Sequence, residues 1–245
     1  DYIALVAQHY YIYEALEAAA LRFADDAVAS PFISPQLTRL PALELDLDYL
    51  VGPDWRDAHP PVPATTRYVD RITEVADQGW AGGFVAHHYT RYLGDLSGGQ
   101  AIAKIMQRQF GFETNGVAFY IFDQIASPKE FKETYRDQLD SVEWDAAERE
   151  RVIDEVLLAY TFNTDLFIDL AMNLFGQPGE RVSGAPAGNV NTVDEVPDSS
   201  WFTNRILVRP LSIEDAVRGP LIGAGPAKGI WTVVGAKDIG SAPGF

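Results

Sequence analysis

Apolar residues recur at intervals of three and four along residues 1–176, and no alternating run of Val, Ile and Thr interrupts them. That periodicity confines this part of the chain to helices packed on helices. Leu5, Ile12, Tyr13 and Leu16 mark a helix over residues 1–23. Ser34-Pro35 is a helix start, residues 40–50 form a short helix, and Pro60 to Pro63 is a turn. Further helices are expected at residues 66–76, 84–110 and 127–139. The last, at residues 145–175, carries Ala147, Val152, Val156, Ala159, Phe162 and Leu166 on one stripe. The expected fold class is all-α, a multihelical bundle.

The pattern stops near residue 176. Residues 177–245 hold ten Gly and seven Pro, with one capped turn of helix expected at residues 212–217 and one strand at 231–234. Two units are therefore expected: a helical domain over 1–176 and an irregular, loosely packed extension, or the start of a second module, over 177–245. Charge divides the same way, with 13 basic and 28 acidic residues in the first unit against 6 and 7 in the second. A net charge of -16 excludes a nucleic-acid binder that works by neutralising phosphate. No run approaches the roughly eighteen apolar residues of a membrane span, so a soluble, cytoplasmic protein is expected. Cysteine is absent, which removes thiolate nucleophiles, zinc-thiolate sites and cysteine-ligated clusters.

Chemistry concentrates in FVAHHYTRYLGDLSGGQ, residues 84–100. Gly94, Gly98 and Gly99 sit inside a helical pattern, and each costs roughly 1 kcal/mol against alanine there. Bare backbone lets a partner approach closely and lets a helix kink. At regular helical spacing, positions 87, 91, 94, 95 and 98 share a face that shows an imidazole, a guanidinium, a carboxylate and two bare patches. That face suits a planar ligand, although Gly94-x-x-x-Gly98 equally suits close packing of another helix. A phosphate loop is excluded, because Gln100-Ala101 stands where Lys-Ser/Thr would be needed. His87 and His88 point in different directions and are expected to be hydrogen-bonded rather than to clamp a metal.

This stretch resembles the signature of the haem oxygenases. HYYIYEALE and TRYVDRI ahead of it, and GVAFYIF, IASPKEFKETYRDQLDSV and RVIDEVLLAYTFNTDLF behind it, resemble that family in the same order. The resemblance covers residues 1–176 and none of 177–245. It implies cleavage of haem to biliverdin, carbon monoxide and ferrous iron, using dioxygen and reducing equivalents from a ferredoxin or an NADPH-dependent reductase. Gly94 and Gly98 would belong to a kinked distal helix over the haem face. Asp95 would order a distal water that hydrogen-bonds the dioxygen, with Tyr13, Tyr68, Arg91 and Asn163 around it in a water network. Lys132, Arg136 and Tyr89 would face the haem propionates, and Tyr160 would be an aromatic wall residue.

One departure stands out. The family carries its proximal haem-ligating histidine on a helix that would precede residue 1, and none of His9, His59, His87 or His88 matches it. No metal-ligating residue is therefore assigned, and the chain as given is expected to bind haem weakly and turn over poorly. A haem-binding or carrier protein without turnover is the alternative.

Overall fold

A computed structural model describes residues 2–175; the expected short helix at 212–217 and strand at 231–234 lie outside the described residues. Among the described residues there is no strand, and the all-α expectation holds. The helices are α1 (Tyr2–Arg22), α2 (Leu40–Leu50), α3 (Trp55–Ala58), α4 (Pro63–Asp77), α5 (Ala81–His88), α6 (Gln100–Phe110), α7 (Pro128–Asp140) and α8 (Ala146–Phe175).

The core forms where α1, α4, α5 and α8 pack on one another. α1 contributes Val6, Ile12, Tyr13 and Leu16, all inaccessible to solvent, and Tyr68, Phe84 and Phe119 meet them from α4, α5 and a 3₁₀ turn at Ala118–Tyr120. α4 starts three residues earlier than its apolar pattern suggests. Pro63 fits the first helical position, where no amide proton is needed, and the Asp169 carboxylate on α8 accepts from the Ala64 amide at 2.7 Å. α7 begins on Ser127, whose side chain accepts from the Glu130 amide. α3 carries no sequence pattern of its own. It forms because Trp55 is driven inside, against Tyr10 at 4.8 Å between ring centroids.

Two buried polar residues lock the 118–120 turn in place. Arg39 donates to the carbonyls of Phe119 and Ile121 at 3.2 and 2.9 Å and lies 4.0 Å from the Phe122 ring centroid. Asp46 accepts from the amides of Ala118 and Phe119 at 2.9 and 2.8 Å. Phe119 and Tyr120 are thereby pressed toward α1 and toward the glycine-rich segment.

That segment departs most from expectation. Residues 84–110 do not form one regular helix. α5 gives way to two consecutive π-helical turns, Tyr89–Leu93 and Asp95–Gly99, joined at Gly94, before α6 resumes. A π turn holds an extra residue, so the segment bends without leaving the helical region of backbone space. α6 then ends on Gly111 at φ 71°, a left-handed cap. No helix among the described residues is long and apolar enough to cross a membrane.

Candidate active site

The two π turns rearrange the face that regular helical spacing predicts. His87 turns away from Arg91 and Asp95 toward α8, where its Nε2 meets the Glu155 carboxylate at 2.8 Å. Arg71 closes on the same carboxylate with two hydrogen bonds, at 2.8 and 2.7 Å. Burial raises the proton affinity of Glu155, but hydrogen bonds from Arg71 and His87 outweigh that and lower its pKa to about 2. His88 pairs through Nδ1 with the Tyr135 hydroxyl at 2.9 Å, and burial lowers its pKa to about 3. Both histidines are thus hydrogen-bonded core residues, as expected of a neighbouring pair.

Arg91 and Asp95 turn inward. Arg91 donates from Nη1 to Asn163 on α8 at 2.6 Å and from Nη2 to His9 Nδ1 on α1 at 2.9 Å. Its Nη2 also lies 3.7 Å from Asp95 Oδ2, which accepts a hydrogen bond from the Tyr13 hydroxyl. Asn163 is held in turn by its own donation to the Ala159 carbonyl. Burial pushes the Asp95 pKa up, while Arg91 and the Tyr13 hydrogen bond pull it part of the way back. Burial works against the charge of Arg91, but Asp95 and Tyr13 outweigh it and the group stays a cation. Asp95 keeps a 15 % exposed side chain where Arg91 keeps 4 %, so the carboxylate is the outer member of the pair.

Tyr68 lies beside this group, stacked on Phe162 and in reach of the Arg91 charge. Its hydroxyl faces Asn163, and Arg91 Nε is buried without a hydrogen-bond partner among the described residues. Polar atoms in that condition are commonly satisfied by buried water. Tyr13, Tyr68, Arg91, Asp95 and Asn163 are therefore neighbours, drawn from α1, α4, the two π turns and α8.

Tyr89, Lys132, Arg136 and Tyr160 make a second group. Lys132 Nζ donates to Ser97 Oγ at 2.9 Å, bringing α7 to the second π turn. Burial and the Arg136 charge lower the Lys132 pKa. Burial raises the Tyr89 pKa, and Arg136 acts against it; Tyr89 also bears on Tyr160. Neither Lys132 nor Arg136 has a carboxylate partner among the described residues. Two cations one helical turn apart, unneutralised and half-buried, fit a ligand that brings its own carboxylates. Gly94 and Gly98 are both buried in the segment between the two groups. No cluster of three metal-ligating side chains occurs among the described residues.

Sequence reasoning missed three partners: His9 on Arg91, Ser97 under Lys132, and the Arg71–Glu155 ion pair to which His87 hydrogen-bonds. His9 had a signal, since it stands four residues before Tyr13 and so on its helical face. Gly99 has a more mechanical role. A Cβ placed there would come 2.6 Å from Tyr120 Cδ1, and Tyr120 is fully buried against the locked 118–120 turn. Gly99→Ala should cost about 1–3 kcal/mol of stability by overpacking, measured by urea unfolding. A cost below about 0.5 kcal/mol would mean that Tyr120 yields freely.

The family model described as heme oxygenase matches residues 1–169. Heme oxygenase 1 of Synechocystis is 40% identical over 182 residues, spanning 74% of this chain and 75% of the relative. Human heme oxygenase 1 is 40% identical over 200 residues, spanning 80% of this chain and 69% of the relative. Among solved structures, that of Synechocystis heme oxygenase-1 in complex with heme superposes with a TM-score of 0.66 at 40% identity, covering 71% of this chain and 78% of that one. The heme oxygenase of Leptospira interrogans gives 0.64 at 34% identity, covering 68% and 81%.

Proposed function

We propose the working of this site from one premise: the chain belongs to the haem oxygenase family. Its reaction is the oxidative cleavage of haem to biliverdin, carbon monoxide and ferrous iron, with dioxygen and an external reductant. The observation that carries the residue assignment is the half-buried Asp95 carboxylate, held by Tyr13 and beside Arg91 on a doubled π turn. Bound haem supplies the redox centre at which dioxygen is activated, and it is also the substrate that is opened.

The residues of the chain bind, orient and supply protons. Gly94 and Gly98 leave the distal segment without side chains where a flat macrocycle would press against it. Lys132 and Arg136 would hold the two propionates by charge-assisted hydrogen bonds, with Tyr89 beside them and Tyr160 as a wall, and so set the rotation of the ring. Burial raises the proton affinity of Asp95 above that of a free carboxylate, the direction that favours a proton donor. Acting through water rather than directly, it would deliver protons while Arg91, Tyr13, Tyr68 and Asn163 keep that water ordered. The electron donor would be a separate ferredoxin or NADPH-dependent reductase. The family match, ending at residue 169, supports a catalytic domain over 1–176 with 177–245 as an extension.

The test is a haem titration followed by reductant under air, with and without added imidazole as a nitrogen ligand to iron. Decay of the Soret band with growth of biliverdin absorption is expected. A Soret band that persists under both conditions would favour a haem carrier and remove the roles given to Asp95 and Arg91. Lys132→Ala should weaken haem binding about tenfold, the worth of one partly exposed charged hydrogen bond. An unchanged affinity would take Lys132 off the propionates.

A further inference from the structure

His9 is buried, and among the described residues its ring makes one hydrogen bond, to Arg91. Its Nδ1 lies 2.9 Å from Arg91 Nη2. Arginine can only donate, so Nδ1 must be the acceptor and the proton must sit on Nε2. The imidazole is held from the other side by Phe119, 5.1 Å away between ring centroids, and Phe119 also packs on Tyr13 at 5.3 Å. His9 and Tyr13 are four residues apart on α1; Arg91 and Asp95 are four apart on the distal segment. α1 therefore meets that segment through two matched contacts, His9 to Arg91 and Tyr13 to Asp95.

We propose that His9, as a neutral Nε2–H imidazole, is a positioning residue that holds the Arg91 guanidinium at its distance from the Asp95 carboxylate. This rests on the reading of Asp95 as the proton donor. Arg91 Nη1 is fixed by Asn163 at 2.6 Å, and of the two groups facing Nη2 the imidazole of His9 is the nearer and Asp95 the farther. At 2.9 Å from His9 and 3.7 Å from Asp95, Nη2 is bonded to the imidazole and only electrostatically coupled to the acid. An arginine paired fully with Asp95 would hold that carboxylate ionised and make it a poor acid. With the imidazole gone, Nη2 is free to close on Asp95.

The test is made first on the haem-free chain by NMR. In the wild-type chain the His9 ring shifts should report Nε2–H from pH 8 down to 5. The Asp95 carboxyl should then be titrated in wild-type, His9→Leu and His9→Asn chains. The Asn side-chain oxygen stands close to where Nδ1 was and can accept from Arg91. His9→Leu should lower the Asp95 pKa by roughly one unit, as an opposite charge drawn into contact does, and His9→Asn should restore most of it. With haem, the same order should appear in the rate of haem loss, with haem affinity unchanged. A wild-type Nδ1–H tautomer would overturn the proposal at once, whether or not the variants fold. An Asp95 pKa that is the same in all three chains would overturn it too. An Asp95 titration that shifts across the His9 variants as expected, together with a wild-type chain that leaves haem intact, would overturn the reaction assigned to Asp95 and not the positioning of Arg91.

Discussion

Exchanging Asp95 for Asn should slow haem breakdown about 100-fold or more while leaving haem bound. Asn has the size of Asp and can still accept the hydrogen bond from Tyr13. It cannot hold or release a proton. General acid catalysis by a positioned side chain contributes about 10²–10⁴-fold, so its loss should remove at least about 2.7 kcal/mol of barrier lowering. The variant should fold as well as the wild type, because the carboxylate is already an unfavourable charge to bury. Single-turnover Soret decay separates the two effects: amplitude reports binding, and rate reports proton delivery. A rate within threefold of wild type would mean that protons reach the reaction by another route. Tyr13→Phe should cost less than Asp95→Asn, since it removes a hydrogen bond to the acid but leaves the acid and Arg91 in place.

The helices were legible because each buries one face, and a buried face must repeat its apolar residues at the period of the backbone. α2 and α8 follow their patterns to within a residue at each end. α3 was not legible. Four residues are too few to show a period, and Trp55 alone draws that turn inside. The π turns were legible only as an anomaly. Three glycines in two turns signalled that the helix must bend, but a π turn has no residue preference that distinguishes it from a kink of another kind. The consequence fell on His87. Regular spacing puts it with Arg91 and Asp95, and the added residue per turn sends it to Glu155 instead. The adjacency of Arg91 and Asp95 survived because both lie inside the bend. Contacts across elements, such as His9 to Arg91 or Lys132 to Ser97, depend on how whole helices dock, and local patterning carries no term for that.

Acid should unfold this protein early, and histidine rather than carboxylate protonation should begin it. His9, His87 and His88 are 6 %, 0 % and 2 % exposed, and burial lowers the pKa of each. A histidine with a depressed pKa stays neutral in the folded chain and charges on unfolding. Its contribution is therefore complete above pH 6.5, the unfolded value, and is lost as pH falls toward the folded value. His88, held down to about 3, should by itself cost about 1 kcal/mol per pH unit near pH 5.5, and His9 and His87 add losses of the same sign. Glu155, at about 2, adds a loss of the same sign once pH passes below its unfolded value of 4.5. Asp95, Glu17 and Asp46 work the other way. Burial raises their pKa values, so their contribution is present at low pH and lost as pH rises, and acidification returns some stability through them. Between their unfolded and folded values these carboxylates hold a proton that the unfolded chain lacks, so they offset part of the histidine loss, and the net fall is the difference between the two sets. Urea unfolding at half-unit steps from pH 7.5 to 5 measures it, and His88→Phe, which removes that proton uptake, should reduce the slope by about 1 kcal/mol per pH unit. A slope that His88→Phe leaves unchanged would mean that this imidazole is already charged in the folded chain, which its enclosure among Phe84, Tyr92 and Tyr135 cannot accommodate.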